Sequence, residues 1–200
     1  DLKYAVAEQI YIKFEGRIHI YNEYGPTEAT VGCMIYEFNE SRRFGVSIPI
    51  GKPADNVQLY LLDRTMKPVM PGEKGELYIA GDGVAKGYLN NERLTAERFV
   101  PNPFGEGKMY KTGDIVRFID EDIMEYICRS DDQVKVNGYR IELGEIEECI
   151  KKLDGIDEAV VEYTELSNGN SVLCAFYSGA DSIDKKSIRS HIKNYLPDYM

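Results

Sequence analysis

Apolar and polar positions recur with two different periods at the start of this chain, and the change of period predicts its first elements. From Leu2 to Phe14 an apolar residue recurs at every fourth position, which predicts an amphipathic helix over residues 2–15. Strict alternation then predicts a strand over residues 17–21. The first predicted elements are therefore a helix and a strand.

Short runs of β-branched and aromatic residues predict most of the strands that follow. They lie at residues 57–62, 76–80, 109–111, 115–119 and 123–128. Asn91 can cap a short helix that extends to Phe99, because its side chain accepts hydrogen bonds from the first helical N–H groups. Two of the strands are separated by Thr112-Gly113-Asp114, and such a Gly-Asp step predicts a turn.

The pattern changes after the polar run Ser130-Asp131-Asp132. Two short strands then flank Asn137-Gly138, the dipeptide most typical of a hairpin turn. Further helices and strands are predicted at residues 142–153, 159–163, 171–177 and 184–195, and either Ser182 or Asp184 is expected to cap the last helix. We therefore expect two domains, with residues 1–130 in the first and residues 131–200 in a small α+β unit.

The bulk composition excludes several classes of function. The net charge of −10 argues against a binder of nucleic acid or of anionic membranes, because both need a basic surface. No apolar run approaches the roughly 20 residues that a membrane span needs. We therefore expect a cytoplasmic protein with no nucleic-acid partner and no membrane partner.

The cysteines and histidines indicate no metal centre. Cys33, Cys128, Cys149 and Cys174 are far apart in the sequence and form no CxxC pair. This spacing is typical of buried, reduced thiols in a cytosolic protein. Only two histidines are present, so a metal cluster or a Ser-His-Asp triad is poorly supported.

Two loop sequences contain candidate chemistry. NEYGPTEAT (22–30) follows a predicted strand and places a hydroxyl beside a carboxylate, where an α/β sheet would bind a ligand. The alternative for this segment is a solvated turn. GDGVAKG (81–87) lacks the Gly-Lys-Ser/Thr ending of a P-loop, which favours a structural loop.

Two single side chains also have two interpretations each. Asp114 could accept hydrogen bonds from two vicinal hydroxyls, as in a ribose, or could be a plain turn aspartate. Tyr126 could offer a flat face to a base, or it could pack against its strand neighbours. The residues alone leave both alternatives open.

Five segments, in the same order, resemble the adenylate-forming enzymes, a superfamily that includes acyl-CoA ligases and luciferase-like enzymes. They are NEYGPTEAT (22–30), GELYIAGDGVAKGYLN (75–90), RFVPNPF (98–104), YKTGD (110–114) and RSDDQVKVNGYRIELGEIE (129–147). Within the superfamily the chain is most similar to the C-terminal portion of an adenylation domain of a nonribosomal peptide synthetase.

The resemblance implies an α/β plus α+β fold. Residues 1–130 would be the end of a large AMP-binding domain with a β-barrel-like part from about residue 45. Residues 131–200 would be a small, mobile C-terminal lid, truncated at its end. Missing N-terminal strands would leave an exposed apolar surface near residues 1–35.

The resemblance also implies a nucleotide site for ATP and Mg²⁺ in the first part of the chain. Tyr24 would stack on the adenine, with Asn22 and Glu23 lining the base through their backbone. Thr27 would contact the phosphate, and Glu28 would help to hold Mg²⁺, as a hard-cation ligand does.

Three residues of the later strands would complete this implied nucleotide site. Asp114 would bind the ribose hydroxyls, and Tyr126 would flank the nucleotide. Arg129 would reach the ribose or the phosphate. The resemblance therefore implies that these residues share one nucleotide site with the loop at 22–30.

For the second part of the chain the resemblance implies a role in thioester formation. Asp131 matches the hinge position. Lys135 and the loop Gly138-Tyr139-Arg140 would swing toward the active site. The implied partner is a peptidyl carrier protein domain that bears a phosphopantetheine thiol.

The resemblance further implies that Glu23, Val31 and Gly32 line an amino-acid pocket. The small Gly32 leaves room there, and the carboxylate of Glu23 would suit a polar or cationic side chain. Three positions do not name the amino acid.

The implied chemistry has two steps. A substrate carboxylate attacks the α-phosphate of ATP to give an aminoacyl-AMP and pyrophosphate, and the carrier thiol then takes the acyl group. The family's phosphate loop would precede residue 1 and its catalytic lysine would follow Met200. We therefore expect the complete parent to be an ATP-dependent ligase and the isolated chain to be inactive.

Two other functions stay open. The parent could be a D-alanine–carrier-protein ligase or an acyl-CoA ligase, which substrate profiling would separate from a peptide synthetase. Alternatively, the small unit could be a non-catalytic docking module for a carrier protein, in which Lys135 and Arg140 form a local basic patch.

Overall fold

The computed structural model describes residues 2–131, 133–136, 139–165, 171–180 and 183–200. The contacts within the chain divide it into two compact units, Asp1–Ser130 and Asp131–Met200. The boundary lies within the polar run that follows the last strand of the first unit. The roles expected for the two units stay predictions.

The first unit contains a small antiparallel sheet that precedes its main sheet. Tyr21–Tyr24 (β1) pairs with Met34–Glu37 (β2), and β2 pairs with Lys52–Pro53 (β3). A 3-10 helix at Thr27–Ala29 lies between β1 and β2. The strand predicted at 17–21 is wrong in position, because pairing with β2 and not the local alternation selects the strand residues.

The predicted first helix forms as Tyr4–Lys13 (α1), but it buries a different face from the one expected. Tyr4 and Ala7 are buried, and Tyr4 packs in a cluster with Tyr36 and Phe38. The apolar stripe is instead exposed: Val6 by 47%, Ile10 by 38% and Phe14 by 48%. The periodic pattern therefore predicts the helix but not the face that packs against the unit.

Five strands form a second, curled antiparallel sheet. They are Val57–Leu62 (β4), Lys74–Gly81 (β5), Phe99–Pro101 (β6), Lys108–Phe118 (β7) and Met124–Arg129 (β8). β5 lies between β4 and β7, and β7 also pairs with β6 and β8. The helix Glu92–Arg98 (α2) precedes β6, and Asn91 caps it by accepting a hydrogen bond from the Leu94 N–H, as predicted.

Strand β7 continues through Thr112-Gly113-Asp114, where the sequence predicts a turn. Gly113 has a φ of +77°, and the pairing with β5 shifts register opposite this segment, between Glu76 and Tyr78. A glycine in the left-handed region permits a β-bulge, which bends a strand without reversing it. The predicted turn is therefore wrong, and Asp114 lies on a paired strand.

One buried cluster joins residues of both sheets in the first unit. Its members are Ala29, Cys33, Met34, Ile50, Leu61, Leu77, Ile79, Val116 and Met124. Burial of apolar area from water is the main source of stability in such a cluster. Because Ala29 and Cys33 belong to the connection between β1 and β2, core packing fixes the position of that connection.

The second unit consists of a hairpin, a longer pair of strands and two helices. Its elements are Gln133–Val136 (β9), Tyr139–Glu142 (β10), Leu143–Lys151 (α3), Ile156–Glu165 (β11), Ser171–Gly179 (β12) and Lys185–Tyr195 (α4). β9 pairs with β10 and β11 pairs with β12, both antiparallel. The predicted hairpin strands are confirmed, while the turn residues 137 and 138 lie outside the described residues.

The core of the second unit lies where its helices meet its strands. It contains Val136, Ile141, Leu143, Ile146, Ile150, Ala159, Val161 and Ile188. Asp184 caps α4 in a reciprocal capping box with Ser187, as the sequence predicts. The other predicted cap, Ser182, lies outside the described residues.

The expected α/β plus α+β fold class is confirmed by the mixed α/β structure, and the curled sheet corresponds to the β-barrel-like part expected from about residue 45. The predicted mobility of a C-terminal lid stays a prediction. Within the described part of the chain, none of the helices combines the length and the apolar character that crossing a bilayer requires.

Candidate functional site

Strand β1 directs its side chains to two faces with different surroundings. Asn22 and Tyr24 are partly buried on one face, and Glu23 is exposed on the other. Asn22 Nδ2 donates hydrogen bonds to the carbonyl oxygens of Ile48 (3.2 Å) and Pro49 (2.7 Å). The side chain of Asn22 therefore fixes β1 to the segment that leads into β3.

The hydroxyl of Tyr24 lies against the carboxylate of Asp114. Tyr24 donates a hydrogen bond to Asp114 Oδ2, and Arg129 Nη1 lies 2.8 Å from Asp114 Oδ1. Arg129 also donates to the carbonyl oxygen of Thr112 at 2.8 Å. The side chains of Asp114 and Arg129 are only 12% and 15% exposed. The structure thus brings together three predicted nucleotide residues, which we call the Asp114 cluster: Tyr24, Asp114 and Arg129.

Neighbouring groups fix the backbone around Asp114. The N–H of Asp114 donates to Thr112 Oγ1 at 2.9 Å, and Thr112 Oγ1 donates to the carbonyl oxygen of Leu77 at 2.7 Å. Ser130 donates to the carbonyl oxygen of Gly113 from its N–H at 2.8 Å and from its hydroxyl at 2.9 Å. These bonds connect β7 to β5 and to the end of β8, which holds the carboxylate in one place.

Tyr24 keeps its proton in this environment. Burial, followed by the negative charge of Asp114 and the hydrogen bond to it, raises the pKa of Tyr24 well above its usual value. A neutral phenol that donates to a carboxylate makes a charge-assisted hydrogen bond, which is stronger than one between neutral groups. Because Arg129 balances the carboxylate, the Asp114 cluster carries no net charge.

The outer face of β8 presents Tyr126 and Cys128. Burial alternates along this strand, and Tyr126 is 38% exposed. Its ring is therefore accessible to a ligand, and its expected role beside a nucleotide stays a prediction. The expectation of buried thiols is wrong for Cys128, because the alternation of the strand turns it outward, whereas Cys33 and Cys149 are buried.

The loop after β1 adopts a strained conformation. Thr30 and Val31 have φ values of +61° and +65°, a region that is costly for β-branched residues. Gly25 has no room for a side chain, since an added Cβ would lie 2.2 Å from the carbonyl oxygen of Val31. Thr27 is exposed in the 3-10 helix of this loop, where a ligand can reach its hydroxyl.

The three residues predicted to line an amino-acid pocket lie together. A Cβ added to Gly32 would lie 3.5 Å from Glu23 Oε2, so the carboxylate closely approaches the glycine. Val31 is 68% exposed next to them. Their proximity agrees with a shared surface, and their part in substrate choice stays a prediction.

The carboxylate of Glu28 is bonded to a residue that sequence patterns did not predict. The hydroxyl of Tyr88 donates to Glu28 Oε1 at 2.6 Å. Tyr88 directly follows residues 81–87, which we call the glycine loop and which the sequence favours as structural. An aromatic residue after a glycine-rich loop was the only signal, and spacing alone cannot pair two residues so far apart in the sequence.

The second unit holds the predicted hinge residue and the predicted thioester-step residues. The N–H of Gln133 donates to Asp131 Oδ1 at 3.4 Å. The side chain of Arg140 donates from Nε to Gln133 Oε1 at 2.6 Å.

The ring of Tyr139 stacks on that of Tyr199, with centroids 4.3 Å apart and planes 3° from parallel. Both rings are still about half exposed, Tyr139 by 50% and Tyr199 by 43%. Of the remaining predicted residues, Lys135 is described only through the pairing of β9, and Gly138 lies outside the described residues.

The sequence and the fold match known proteins along the chain. The family of AMP-binding enzymes matches residues 2–89. Bacitracin synthase 3 of Bacillus licheniformis is 50% identical over 201 residues, which cover 100% of this chain and 3% of that protein. The chain therefore spans only a small part of the curated relatives that it matches.

Two solved structures share the fold and part of the sequence. A nonribosomal peptide synthetase protein that contains adenylation and PCP domains is 28% identical with a TM-score of 0.81, covering 100% of this chain and 40% of that one. The Vibrio cholerae adenylation domain AlmE, solved with glycyl-adenosine-5'-phosphate, is 26% identical with a TM-score of 0.84, covering 100% of this chain and 38% of that one. Residues 2–89 therefore match the AMP-binding enzymes, and the whole chain is similar in sequence to a bacitracin synthase and in fold to proteins with adenylation domains.

Proposed function

We propose that this chain is part of an ATP-dependent ligase that activates an amino acid. The reaction is the formation of an aminoacyl-AMP, followed by transfer of the acyl group to the phosphopantetheine thiol of a carrier protein. The observation that supports it best is the Asp114 cluster, in which an aromatic ring, a carboxylate and a guanidinium are held together at the end of two strands. The similarity to an adenylation domain solved with glycyl-adenosine-5'-phosphate agrees with this proposal.

The Asp114 cluster fits an adenosine. Each carboxylate oxygen has two lone pairs, so Asp114 can keep its bonds to Tyr24 and Arg129 and still accept hydrogen bonds from two ribose hydroxyls. Tyr24 offers an aromatic face for a base. The guanidinium of Arg129 supplies positive charge beside the acidic Asp114 and within reach of a phosphate or ribose oxygen.

Glu28 and Thr27 fit the phosphate end of the same nucleotide. No three acidic, histidine or cysteine side chains in the described part of the chain lie close enough to hold a metal ion by themselves. Mg²⁺ commonly takes one or two protein carboxylates and completes its shell with phosphate oxygens and water, and Glu28 provides such a carboxylate. When bound, Mg²⁺ neutralises charge on the phosphates. The exposed Thr27 hydroxyl would donate to a phosphate oxygen.

The chain's residues act mainly by positioning in the first step. The substrate carboxylate oxygen forms a bond to the α-phosphorus, the bond to the β-phosphate oxygen breaks, and pyrophosphate leaves. Tyr24, Asp114 and Arg129 would hold the adenosine so that the α-phosphorus faces the carboxylate. Fixing two reactants in this way removes much of the entropic barrier.

The second step transfers the acyl group to sulfur. The carrier thiol loses its proton, its sulfur bonds the acyl carbon, and the bond to the AMP phosphate oxygen breaks. We assign to this step the hinge residue Asp131, the cation Lys135 and the loop Gly138-Tyr139-Arg140. Domain rotation between two half-reactions is a known form of gating.

The amino acid would be recognised on the face of β1 that presents the exposed Glu23, which we call the open face. Glu23, Val31 and Gly32 lie together there. The carboxylate of Glu23 can accept hydrogen bonds from a polar side chain or pair with a cationic one. The small Gly32 leaves space for that side chain.

Calorimetric titration with AMP and with ATP–Mg²⁺ tests the nucleotide part of the proposal. We expect saturable binding by the chain that Asp114→Ala abolishes and that Asp55→Ala, a change at an exposed aspartate, leaves intact. Equal binding by both variants would contradict the role of Asp114.

Amino-acid-dependent exchange of pyrophosphate into ATP by the complete adenylation domain tests the reaction itself. The proposed function would be contradicted if the complete domain showed no pyrophosphate exchange with any of the amino acids tested. The isolated chain is expected to release no pyrophosphate, and turnover by it would contradict that expectation.

A further inference from the structure

We propose that Tyr88 is a positioning residue that fixes the carboxylate of Glu28 for its contact with the metal ion. The inference rests on the proposed function, because Glu28 has a metal to bind only in that reaction. It gives the glycine loop, which the sequence favours as structural, a part in building the phosphate end of the site.

Three hydrogen bonds tie the glycine loop and Tyr88 to the segment that contains Glu28. The hydroxyl of Tyr88 donates to Glu28 Oε1 at 2.6 Å. The N–H of Ala85 donates to the carbonyl oxygen of Glu28 at 2.8 Å. The hydroxyl of Thr30 donates to the carbonyl oxygen of Gly83 at 2.6 Å. Both the backbone and the side chain of Glu28 are therefore held from the same short stretch.

Tyr88 is itself fixed by the helix and strand that follow it. Its N–H donates to Thr95 Oγ1 on α2 at 2.8 Å, and its ring meets the ring of Phe99 edge-on with centroids 5.4 Å apart. Gly87 has a φ of +145°, and an added Cβ would lie 2.3 Å from Thr95 Cγ2. This close approach of the loop to α2 requires glycine and sets the direction in which the tyrosine hydroxyl points.

The chemistry of the Tyr88 hydroxyl suits a permanent donor. A tyrosine hydroxyl has an ordinary pKa of about 10, so it is protonated at physiological pH and donates to a carboxylate. A metal-binding carboxylate is itself commonly hydrogen-bonded, and the partner selects which of its oxygens faces the ion.

If Tyr88 served only to pack its ring against Phe99, its hydroxyl would not be needed. Phe99 already provides the apolar contact of the ring, and a phenylalanine at position 88 would keep it. The hydroxyl adds the donation to Glu28, a carboxylate that the proposed reaction places at the metal. Removing the oxygen atom alone therefore separates positioning from packing.

The test uses the complete adenylation domain and the change Tyr88→Phe. We expect the Mg²⁺ concentration for half-maximal pyrophosphate exchange to rise about 10-fold, within the range that loss of a partner of a metal ligand causes. The KM for the amino acid should not change. Tyr60→Phe is the matched control, because it removes a tyrosine hydroxyl that bonds Gln58 at 3.0 Å and leaves the ring stacked on Phe104.

A second readout does not depend on turnover. Binding of Mn²⁺, as a paramagnetic probe for Mg²⁺, is measured by electron paramagnetic resonance with an ATP analogue whose α–β linkage cannot be cleaved. Tyr88→Phe should weaken Mn²⁺ binding about 10-fold. If Tyr88 acts through Glu28, the double variant Glu28→Gln with Tyr88→Phe should bind Mn²⁺ no more weakly than Glu28→Gln alone.

Each outcome bears on one of the two proposals. A wild-type domain without amino-acid-dependent exchange overturns the proposed function and this role with it. An active wild-type domain whose Tyr88→Phe variant has an unchanged Mg²⁺ dependence overturns the positioning role alone. A variant that loses amino-acid affinity and resistance to urea together with Mg²⁺ affinity also overturns it, since that result indicates packing. Additive losses of Mn²⁺ affinity from Glu28→Gln and Tyr88→Phe in the double variant also overturn the positioning role.

Discussion

The two faces of β1 differ in how far hydrogen bonds within the protein fix their side chains. On one face, Asn22 and Tyr24 are tied to backbone carbonyls and to Asp114. On the other face, Glu23 is exposed beside Gly32. A residue fixed in advance binds one shape well, whereas an open side chain can be changed without cost to the fold. The fixed face therefore suits an invariant ligand such as a nucleotide, and the open face suits selection among substrates.

The largest expected effect distinguishes two glycines: Gly25, which follows Tyr24 in the sequence, and Gly32, which lies beside the carboxylate of Glu23. Gly25→Ala would place a Cβ 2.2 Å from the carbonyl oxygen of Val31 and 2.9 Å from the N–H nitrogen of Cys33, and backbone atoms cannot move aside individually. We expect a loss of about 3 kcal/mol in the free energy of unfolding, as for severe overpacking. Urea denaturation measures it.

Gly32→Ala is the matched control for that experiment. Its Cβ would meet only Glu23 Oε2, at 3.5 Å, which is an ordinary contact with a flexible side chain. We expect a change within about 0.5 kcal/mol. Equal losses at the two glycines would remove the distinction between the two faces.

An intermediate effect should appear at high pH on the fixed face. The unfolded Tyr24 loses its proton near pH 10, while the folded one keeps it to a higher pH because its pKa is raised by burial and by Asp114. Its contribution to stability is therefore complete below about pH 10 and is lost as the pH rises toward the raised pKa. Above pH 10 the wild-type chain should lose stability more steeply than Tyr24→Phe, by about 1 kcal/mol per pH unit.

Urea denaturation of both proteins at several pH values measures this difference in slope. Tyr60→Phe serves as the control, because its hydroxyl bonds an amide and not a carboxylate. It should retain the wild-type slope. Identical slopes for wild type and Tyr24→Phe would mean that the Asp114 cluster does not hold the phenol protonated.

The smallest effect on stability should come from the open face. Glu23→Gln should change the free energy of unfolding by no more than about 0.5 kcal/mol, since the side chain is exposed. In the complete domain the same change should alter the preference between cationic or polar and apolar amino acids by about 10-fold in kcat/KM. Pyrophosphate exchange with a panel of amino acids measures it.

Glu37→Gln is the control for the substrate experiment. Glu37 lies on β2, where burial alternates as it does on β1, but its carboxylate is bonded to His19 at 2.5 Å. It should leave the substrate preference unchanged. A preference that does not respond to Glu23→Gln would contradict the assignment of the open face to substrate choice.

Local signals in the sequence predict the elements well wherever a local interaction also decides them. Asn91 at the start of α2 and Asp184 at the start of α4 satisfy helix N–H groups within three residues, so the pattern and the structure agree. In these places the chain needs no distant partner to choose its conformation.

Pairing between distant strands explains the places where prediction fails. Gly113 permits either a turn or a bulge, and only the pairing of β7 with β5 and β8 selects the bulge. The apolar stripe of α1 is exposed because the aromatic cluster around Tyr4 selects another face of the helix. Neither choice can be derived from the neighbouring residues alone.

The contacts of the candidate site also fall into those that the sequence predicts and those that it misses. The resemblance of motifs brings Tyr24, Asp114 and Arg129 into one prediction, and the structure places them in contact. The partner of Glu28 was missed, because a hydrogen bond between Tyr88 and a distant loop leaves no periodic trace in the sequence. Contacts between single side chains that are far apart in the sequence can be identified only from the structure.

The stacking of Tyr139 on Tyr199 has a consequence for the order in which the second unit folds. The hairpin that carries Tyr139 can pair by local contacts, but its ring gains a partner only when the segment after α4 has returned to it. Contacts between residues so far apart in sequence raise the contact order and form late, after the entropy of closing the intervening chain has been lost. The stack should therefore slow unfolding of the unit more than it speeds folding.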